Sequence, residues 1–142
     1  MKNMSAFIIA LALLPLISAD CAKDSEKDLF AKKWWLIKIY TKEGTRAIGA
    51  RKPFIRFDKE KQSAGGNGGC NSFGSTLAVE KDSVSITQIF STKMYCEGVQ
   101  AMEDLFLNDL AISTRYEIKG NNLFLYRGEE LLLEFEGEEM SN

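Results

Sequence analysis

The stretch Ser63–Ser75, SAGGNGGCNSFGS, lies between two segments typical of β-strands and contains five glycines and one cysteine. It could form a phosphate-binding loop, present a reactive thiol, or make a tight backbone corner. A dinucleotide-binding turn needs glycine at its first, third and sixth positions, but counting from Gly66 puts Asn71 sixth. A nucleotide P-loop needs Gly-Lys-Ser/Thr, whereas Cys70 follows Gly69. Neither phosphate-binding pattern is therefore met.

A reactive thiol is also disfavoured, because the chain contains no histidine to activate a cysteine. The same absence excludes Ser-His catalysis and histidine metal sites, and two cysteines are too few for a closed zinc site. We interpret the C-terminal carboxylates as a solvated face and an acidic tail rather than a catalytic pair: Glu134, Glu136, Glu138 and Glu139. The sequence predicts no enzyme, no cofactor and no metal site.

The remaining interpretation is a corner, because glycine tolerates positive φ and lets backbones approach closely. Asn71 follows the glycines, and we expect its side chain to hydrogen-bond local backbone and hold this corner.

Around the corner the chain reads as strands with a single helical interruption. Val99, Met102, Phe106 and Leu110 recur at spacings of three and four, which predicts an amphipathic helix over 97–111. Short alternating segments before and after it predict antiparallel strands. The fold class is therefore α+β.

The N-terminus has the layout of a secretory signal peptide over residues 1–19, with a 12-residue apolar run at 6–17. That run is short for a membrane-spanning helix. Cys21 follows at the position where bacterial lipoproteins carry their lipid, although Asp20 departs from the usual residue there. Cys21 is a candidate lipidation site, and plain cleavage is the alternative. Residues 20–32 are expected to form a charged tether, and 137–142 an acidic tail.

Composition bounds the partners of the protein. A chain of 142 residues suits one domain, and a net charge of -2 gives no broad basic face for nucleic acid. Export would place the cysteines in an oxidising compartment. If Cys21 is lipidated, Cys70 and Cys96 are left as a pair, and two unpaired core cysteines are the alternative.

Several segments together resemble the META domain, also called the HslJ-like heat-shock-protein domain, of exported bacterial proteins and some trypanosomatid proteins. The resemblance is carried over residues 33–135 by Trp34-x-Leu36, Pro53-x-Ile55-x-Phe57, GGCNSFGSTL at Gly68–Leu77, STKMYC at Ser91–Cys96, and Leu123-x-Leu125 through Leu133-x-Phe135.

The resemblance implies a domain over residues 33–136 that forms a half-open antiparallel β-barrel, or a strongly curved sheet, with one helix packed in its concave face. It also implies a Cys70–Cys96 disulfide that serves stability, and structural roles for Trp34, Gly68, Gly69, Asn71, Thr92 and Met94. It implies no catalytic residue or cofactor.

The function that the resemblance implies is non-enzymatic, at the cell envelope, in stress tolerance or in assembly or secretion of other components. The expected location is the periplasm, or the outer membrane as a lipoprotein; without a lipid the protein would be secreted. The partner would be an envelope protein. The alternative is a carrier that binds a lipid tail or other apolar ligand inside the half-barrel.

Overall fold

The computed structural model describes residues 20–141, with side chains from residue 24 onward. The expected signal peptide and the side chain of Cys21 lie outside this description. Within it the chain forms two helices and nine strands: α1 Asp20–Ala31, β1 Lys32–Thr41, β2 Gly44–Ala47, β3 Phe54–Asp58, β4 Ser63–Asn67, β5 Ser72–Glu80, β6 Ser83–Ser91, α2 Gln100–Ile112, β7 Arg115–Lys119, β8 Asn122–Arg127 and β9 Glu130–Glu139.

The strands form one antiparallel sheet that curls on itself. Its order is β2-β1-β3-β4-β5-β6-β7-β8-β9, and β9 also pairs with β1, so the first and last strands meet. The strand pairing is shortest between β6 and β7, where Ser83–Arg115 is the one paired position. The predicted α+β class and strongly curved sheet are confirmed.

Alternating burial explains why β1 is a strand, and a bulge explains why its pattern shifts. Trp34 and Leu36 are fully buried, and the next buried residue is Ile39 rather than residue 38. The register against β9 shifts between Leu36 and Lys38. An extra residue in one strand moves the following side chains to the opposite face. The strand therefore keeps Ile39 in the core.

Helix α2 packs onto the inner face of the curved sheet, as expected. Phe106 and Leu110 are fully buried, and the Phe106 ring lies 5.8 Å from Phe73 and 6.2 Å from Phe135. Burying each such side chain contributes about 1.5–3 kcal/mol. The helix begins at Gln100, three residues after the predicted start.

Residues 20–31 form helix α1 where the sequence suggested a tether. Leu29 is fully buried, and its carbonyl oxygen accepts a hydrogen bond from Trp34 Nε1 at 2.9 Å. Glu26 pairs with Lys59 of the β3–β4 turn at 2.8 Å. Phe30 also packs, half-buried, against the core, so two apolar residues and one ion pair dock this charged segment onto the domain.

Of the four C-terminal carboxylates, Glu136, Glu138 and Glu139 are exposed as expected, whereas Glu134 is buried and the tail is shorter than predicted. β9 continues to Glu139, which pairs with Lys32 of β1, so residues 137–139 belong to the sheet. Glu134 is only 6% exposed. It accepts hydrogen bonds from Tyr40 at 2.6 Å, Lys38 at 3.1 Å and Asn122 at 3.0 Å. Three donors compensate the burial of this carboxylate.

Candidate functional site

The predicted corner is present at residues 68–71, and it is shorter than expected because the rest of the glycine-rich stretch belongs to β4 and the start of β5. The Gly68 N–H donates to the Asn71 carbonyl at 2.8 Å, and Gly69 adopts φ +109°, a conformation that side chains rarely allow. The Gly69 N–H donates to Asn67 Oδ1 at 2.8 Å. The corner thus reverses the chain and turns the next two N–H groups toward α2.

Those N–H groups meet a buried carboxylate from α2. Glu103 is 1% exposed, and its Oε2 accepts from the Cys70 N–H at 2.9 Å and the Asn71 N–H at 2.6 Å. A Cβ on Gly68 would lie 2.6 Å from Glu103 Cγ, so only glycine leaves room for this side chain. Hydrogen-bond donors, rather than a cation, compensate the buried charge.

Asn71 links the corner to the segment that follows β6. Its Oδ1 accepts from Thr92 Oγ1 at 2.9 Å and from the Met94 N–H at 2.7 Å. Its Nδ2 donates to the Met94 carbonyl at 3.0 Å and to Glu103 Oε1 at 2.6 Å. The side chain therefore bonds distant residues rather than the local backbone that we expected.

The predicted disulfide between Cys70 and Cys96 is present, with Cα atoms 5.8 Å apart. It ties the corner covalently to the residues just before α2. Arg51 Nη1 donates to Cys96 Sγ at 3.5 Å, which brings the loop between β2 and β3 to the same place. The disulfide and the hydrogen bonds thus hold the same corner.

The structure brings together most of the residues predicted as a structural motif. Gly68, Gly69, Asn71, Thr92 and Met94 share this corner. Trp34 lies elsewhere, in the core beside α1.

Glu103 was missed by the sequence analysis. It lies three and seven positions before Phe106 and Leu110, on the same helical face. An acidic residue within an apolar stripe was the available signal.

Three large apolar side chains are exposed near the corner: Phe90 belongs to the end of β6, and Met94 and Tyr95 lie in the segment that the corner holds. Phe90, Met94 and Tyr95, which we call the aromatic platform, are 72%, 59% and 79% exposed. The Phe90 ring lies directly over Gly74, where a Cβ would be 2.6 Å from Phe90 Cζ. All three lie within residues 90–95, and several exposed apolar side chains in one region mark interaction surfaces more often than isolated ones do. The sequence analysis did not single out Phe90 or Tyr95.

The interior of the sheet is filled by fully buried side chains, including Trp34, Phe106 and Phe135. The cavities that we describe open at the surface and have charged residues in their lining. Among the side chains of residues 24–141, no three from Asp, Glu, Cys or His are placed to hold a metal ion. No helix in that range is long and apolar enough to span a membrane.

The fold and the corner define a small α+β domain whose disulfide and buried polar network fix one exposed segment. The sequence matches the META domain family over residues 27–139, and the chain belongs to that family. The predicted resemblance is confirmed.

Solved structures share this fold at low sequence identity. A protein from Burkholderia xenovorans, determined by NMR, is 17% identical, with a TM-score of 0.68 over 97% of this chain and 98% of its own. A crystallised DUF4847 family protein from Bacteroides vulgatus is 14% identical, with a TM-score of 0.58 over 82% and 99%. No curated protein matches the chain significantly. The likeness to these structures shows the fold alone.

Proposed function

We propose that this protein is a non-enzymatic, exported domain that binds another protein at the cell envelope, in stress tolerance or in assembly or secretion of other components. The observation that carries the proposal is the aromatic platform, Phe90, Met94 and Tyr95, held by a disulfide-tied corner. Membership of the META domain family supports the same direction.

Rigidity of the platform is what favours binding. Both backbone polar groups of Met94 bond the Asn71 side chain, and the Thr92 N–H donates to the Ser72 carbonyl at 3.0 Å. Aromatic residues and Met are enriched at protein interfaces. A surface that is already ordered loses less conformational entropy on association. Because the segment is already ordered, it loses little backbone conformational entropy when the platform binds a partner.

The charges around the platform favour a protein over a lipid membrane. Lys93 is the cation within the segment, while Glu97 and Asp104 are exposed close to it in the chain and on α2. An anionic membrane surface attracts clusters of basic residues, each contributing about 1 kcal/mol. Arg51, which reaches Cys96, is a second cation nearby, but the two carboxylates balance the two cations and leave no basic cluster to supply that attraction.

A carrier for an apolar ligand is the alternative function, and it needs room between α2 and the sheet. Phe106 and Leu110 occupy that space and are fully buried. Native mass spectrometry of protein purified from its own envelope addresses the carrier directly: a co-purified lipid would favour it over the binding domain.

Photo-crosslinking in the cell that naturally makes the protein tests the platform. A photoreactive phenylalanine analogue replaces Tyr95 or Phe90, and the matched control position is Lys61, an exposed residue in the β3–β4 turn. We expect one discrete envelope protein crosslinked from both platform positions and absent from the control. Crosslinks to lipid alone, or equal patterns from all three positions, would contradict the proposal.

Export and anchoring are measured separately by the intact mass of the processed chain. We propose cleavage after residue 19 or lipidation at Cys21. A lipidated chain carries added acyl mass, and two or more acyl chains give stable anchoring. An unprocessed chain recovered from the cytoplasm would contradict export.

A further inference from the structure

A surface cavity of about 460 Å³ lies beside β1, away from the aromatic platform. One edge of β1 pairs with β3 through Lys33–Trp35 and with β2 through Lys38–Thr41, so residues 36–37 fall between the two partners. The chain from residue 45 to residue 52 supplies the rest of the wall. The volume is within the range of small-ligand sites.

The lining of this cavity combines cations with an apolar floor. Three basic side chains, Lys38, Arg46 and Lys52, are among the lining residues, and no carboxylate is. The accessible floor is aliphatic and is formed by Ile37, Ala47 and Ile48, while Leu36 behind it is fully buried. Thr45 adds a hydroxyl.

Two of the three cations have no counter-charge among the side chains that the structure describes. Lys38 donates to Glu134 at 3.1 Å, so its charge is offset. Arg46 and Lys52 have no ion-pair partner among residues 24–141, and both are exposed. Two unpaired cations beside a surface cavity attract an anion, and arginine binds carboxylate or phosphate oxygens in a bidentate manner.

The loop that carries Lys52 is anchored at the glycine corner that the Cys70–Cys96 disulfide ties. Neighbouring Arg51 donates to Cys96 Sγ at 3.5 Å, and Ile48 packs against the core. Leu36 also donates its N–H to the Pro53 carbonyl at 2.9 Å. Both walls of the cavity are therefore held by contacts outside it.

We propose that this cavity binds an amphiphilic anion, with a phosphate or carboxylate head between Arg46 and Lys52 and a short aliphatic part against Ile37 and Ile48. The site lies outside the sheet interior, so the packed core does not exclude it. It also involves other residues than the aromatic platform, and the two proposals fail independently.

Backbone amide NMR of the isotopically labelled protein tests the proposal with three probes. Octyl phosphate carries both head and tail, inorganic phosphate carries the head alone, and octyl glucoside carries the tail with a neutral head. All are titrated below their micelle-forming concentrations. We expect octyl phosphate to shift the amides of Ile37, Ala47 and Ile48 and to bind at least about tenfold more tightly than either other probe.

Charge-removing variants locate the head group. Arg46→Gln and Lys52→Gln should each weaken octyl phosphate binding about tenfold, the loss typical for one charge-assisted hydrogen bond. Lys61→Gln removes an exposed cation elsewhere and should leave binding unchanged. All three positions are exposed, and amide spectra without ligand verify the fold.

Three outcomes would overturn the proposal. If inorganic phosphate binds as tightly as octyl phosphate, the aliphatic floor does not contribute to binding. If octyl glucoside binds as tightly as octyl phosphate, the cations do not contribute. Amide shifts that lie elsewhere, or that persist in the Arg46→Gln/Lys52→Gln double variant, show that the cavity is not the site.

Discussion

The side-chain amide of Asn71 donates to the carboxylate of Glu103 at 2.6 Å, although the two residues are 32 positions apart. Asn71 belongs to the glycine corner and Glu103 to the helix that fills the sheet. Through Asn71 the same network reaches Thr92 and Met94. The polar network therefore joins a corner, a helix and an exposed segment that hydrophobic packing alone would leave independent.

Replacing Glu103 by Gln should destabilise the protein by about 2 kcal/mol. One carboxylate oxygen becomes an NH2 group, so a donor faces the donors of Cys70 and Asn71, and a buried donor is left unpaired. Urea unfolding measures the change. Asp104→Asn, next in the chain and exposed, is the matched control and should stay within about 0.5 kcal/mol. Equal effects in both variants would contradict the network.

Gly68→Ala should lower the free energy of unfolding by about 2–4 kcal/mol. The new Cβ would lie 2.6 Å from Glu103 Cγ and 2.7 Å from its Oε2, and the bonded carboxylate cannot move without losing its donors. Gly49→Ala has nothing within 4 Å of the new Cβ and is the control. Because both changes damage one contact, the Gly68→Ala/Glu103→Gln double variant should lose less than the sum. If the two losses of unfolding free energy simply add in the double variant, the two residues do not interact.

Local signals were sufficient for most strands, for α2 and for the corner, but β2 and β4 were not predicted as strands, and the curvature of the sheet was implied by the resemblance to the META domain. Alternating apolar residues mark strands, the stripe through Phe106 and Leu110 marks the helix, and clustered glycines mark a corner. These patterns predicted the α+β class without knowledge of which strands pair.

The parts that the sequence analysis missed depend on partners far along the chain. In the sequence, Glu134 looks no different from the exposed glutamates that follow it. Its hydrogen-bond donors, Tyr40, Lys38 and Asn122, reach it only because β9 pairs with β1 and β8. Helix α1 has few apolar residues, and it docks through Leu29, Phe30 and the Glu26–Lys59 ion pair. Tertiary context decided both cases.

Tyr40→Phe should destabilise the protein by about 1 kcal/mol at neutral pH, through loss of its hydrogen bond to Glu134. That hydrogen bond, with burial and the negative charge, raises the pKa of Tyr40 to about 12. A raised folded-state pKa gives stability that is complete below the unfolded value near 10 and is lost as the pH rises toward 12.

The pH dependence distinguishes this contact from simple packing. The stability difference between wild type and Tyr40→Phe should hold near pH 8 and shrink between about pH 10 and 12.

Burial raises the pKa of Glu134, but hydrogen bonds from Tyr40, Lys38 and Asn122 outweigh burial and lower it. Its stabilisation is therefore lost as the pH falls below the unfolded value. A difference independent of pH from 8 to 12 would argue against the Tyr40–Glu134 bond.

Tyr116→Phe should leave stability unchanged or raise it by about 1 kcal/mol. The residue is 2% exposed, and its hydroxyl has no hydrogen-bond partner in the described part of the chain. Burial, then the charges of Glu26 and Asp82, raises the pKa of Tyr116 to about 12. Removing an unsatisfied buried hydroxyl avoids its desolvation cost. A loss above 1 kcal/mol in urea unfolding would show that the hydroxyl has a partner, such as a bound water.

Replacing both Cys70 and Cys96 by Ser should lower stability by about 3–4 kcal/mol, because the disulfide closes a loop of 26 residues and limits the unfolded chain. Guanidinium unfolding of the wild type with and without reductant should show the same loss, while the double variant should not respond to reductant. The Asn71 and Glu103 contacts remain in the variant, so its amide spectrum should stay close to wild type, with changes confined to residues around the corner and the 92–99 segment. Thiol titration of the denatured, unreduced protein provides the direct control, since Cys70 and Cys96 should contribute no free thiol. Two free thiols at these positions, or a wild type that is insensitive to reductant, would show that the corner is held by its hydrogen bonds alone.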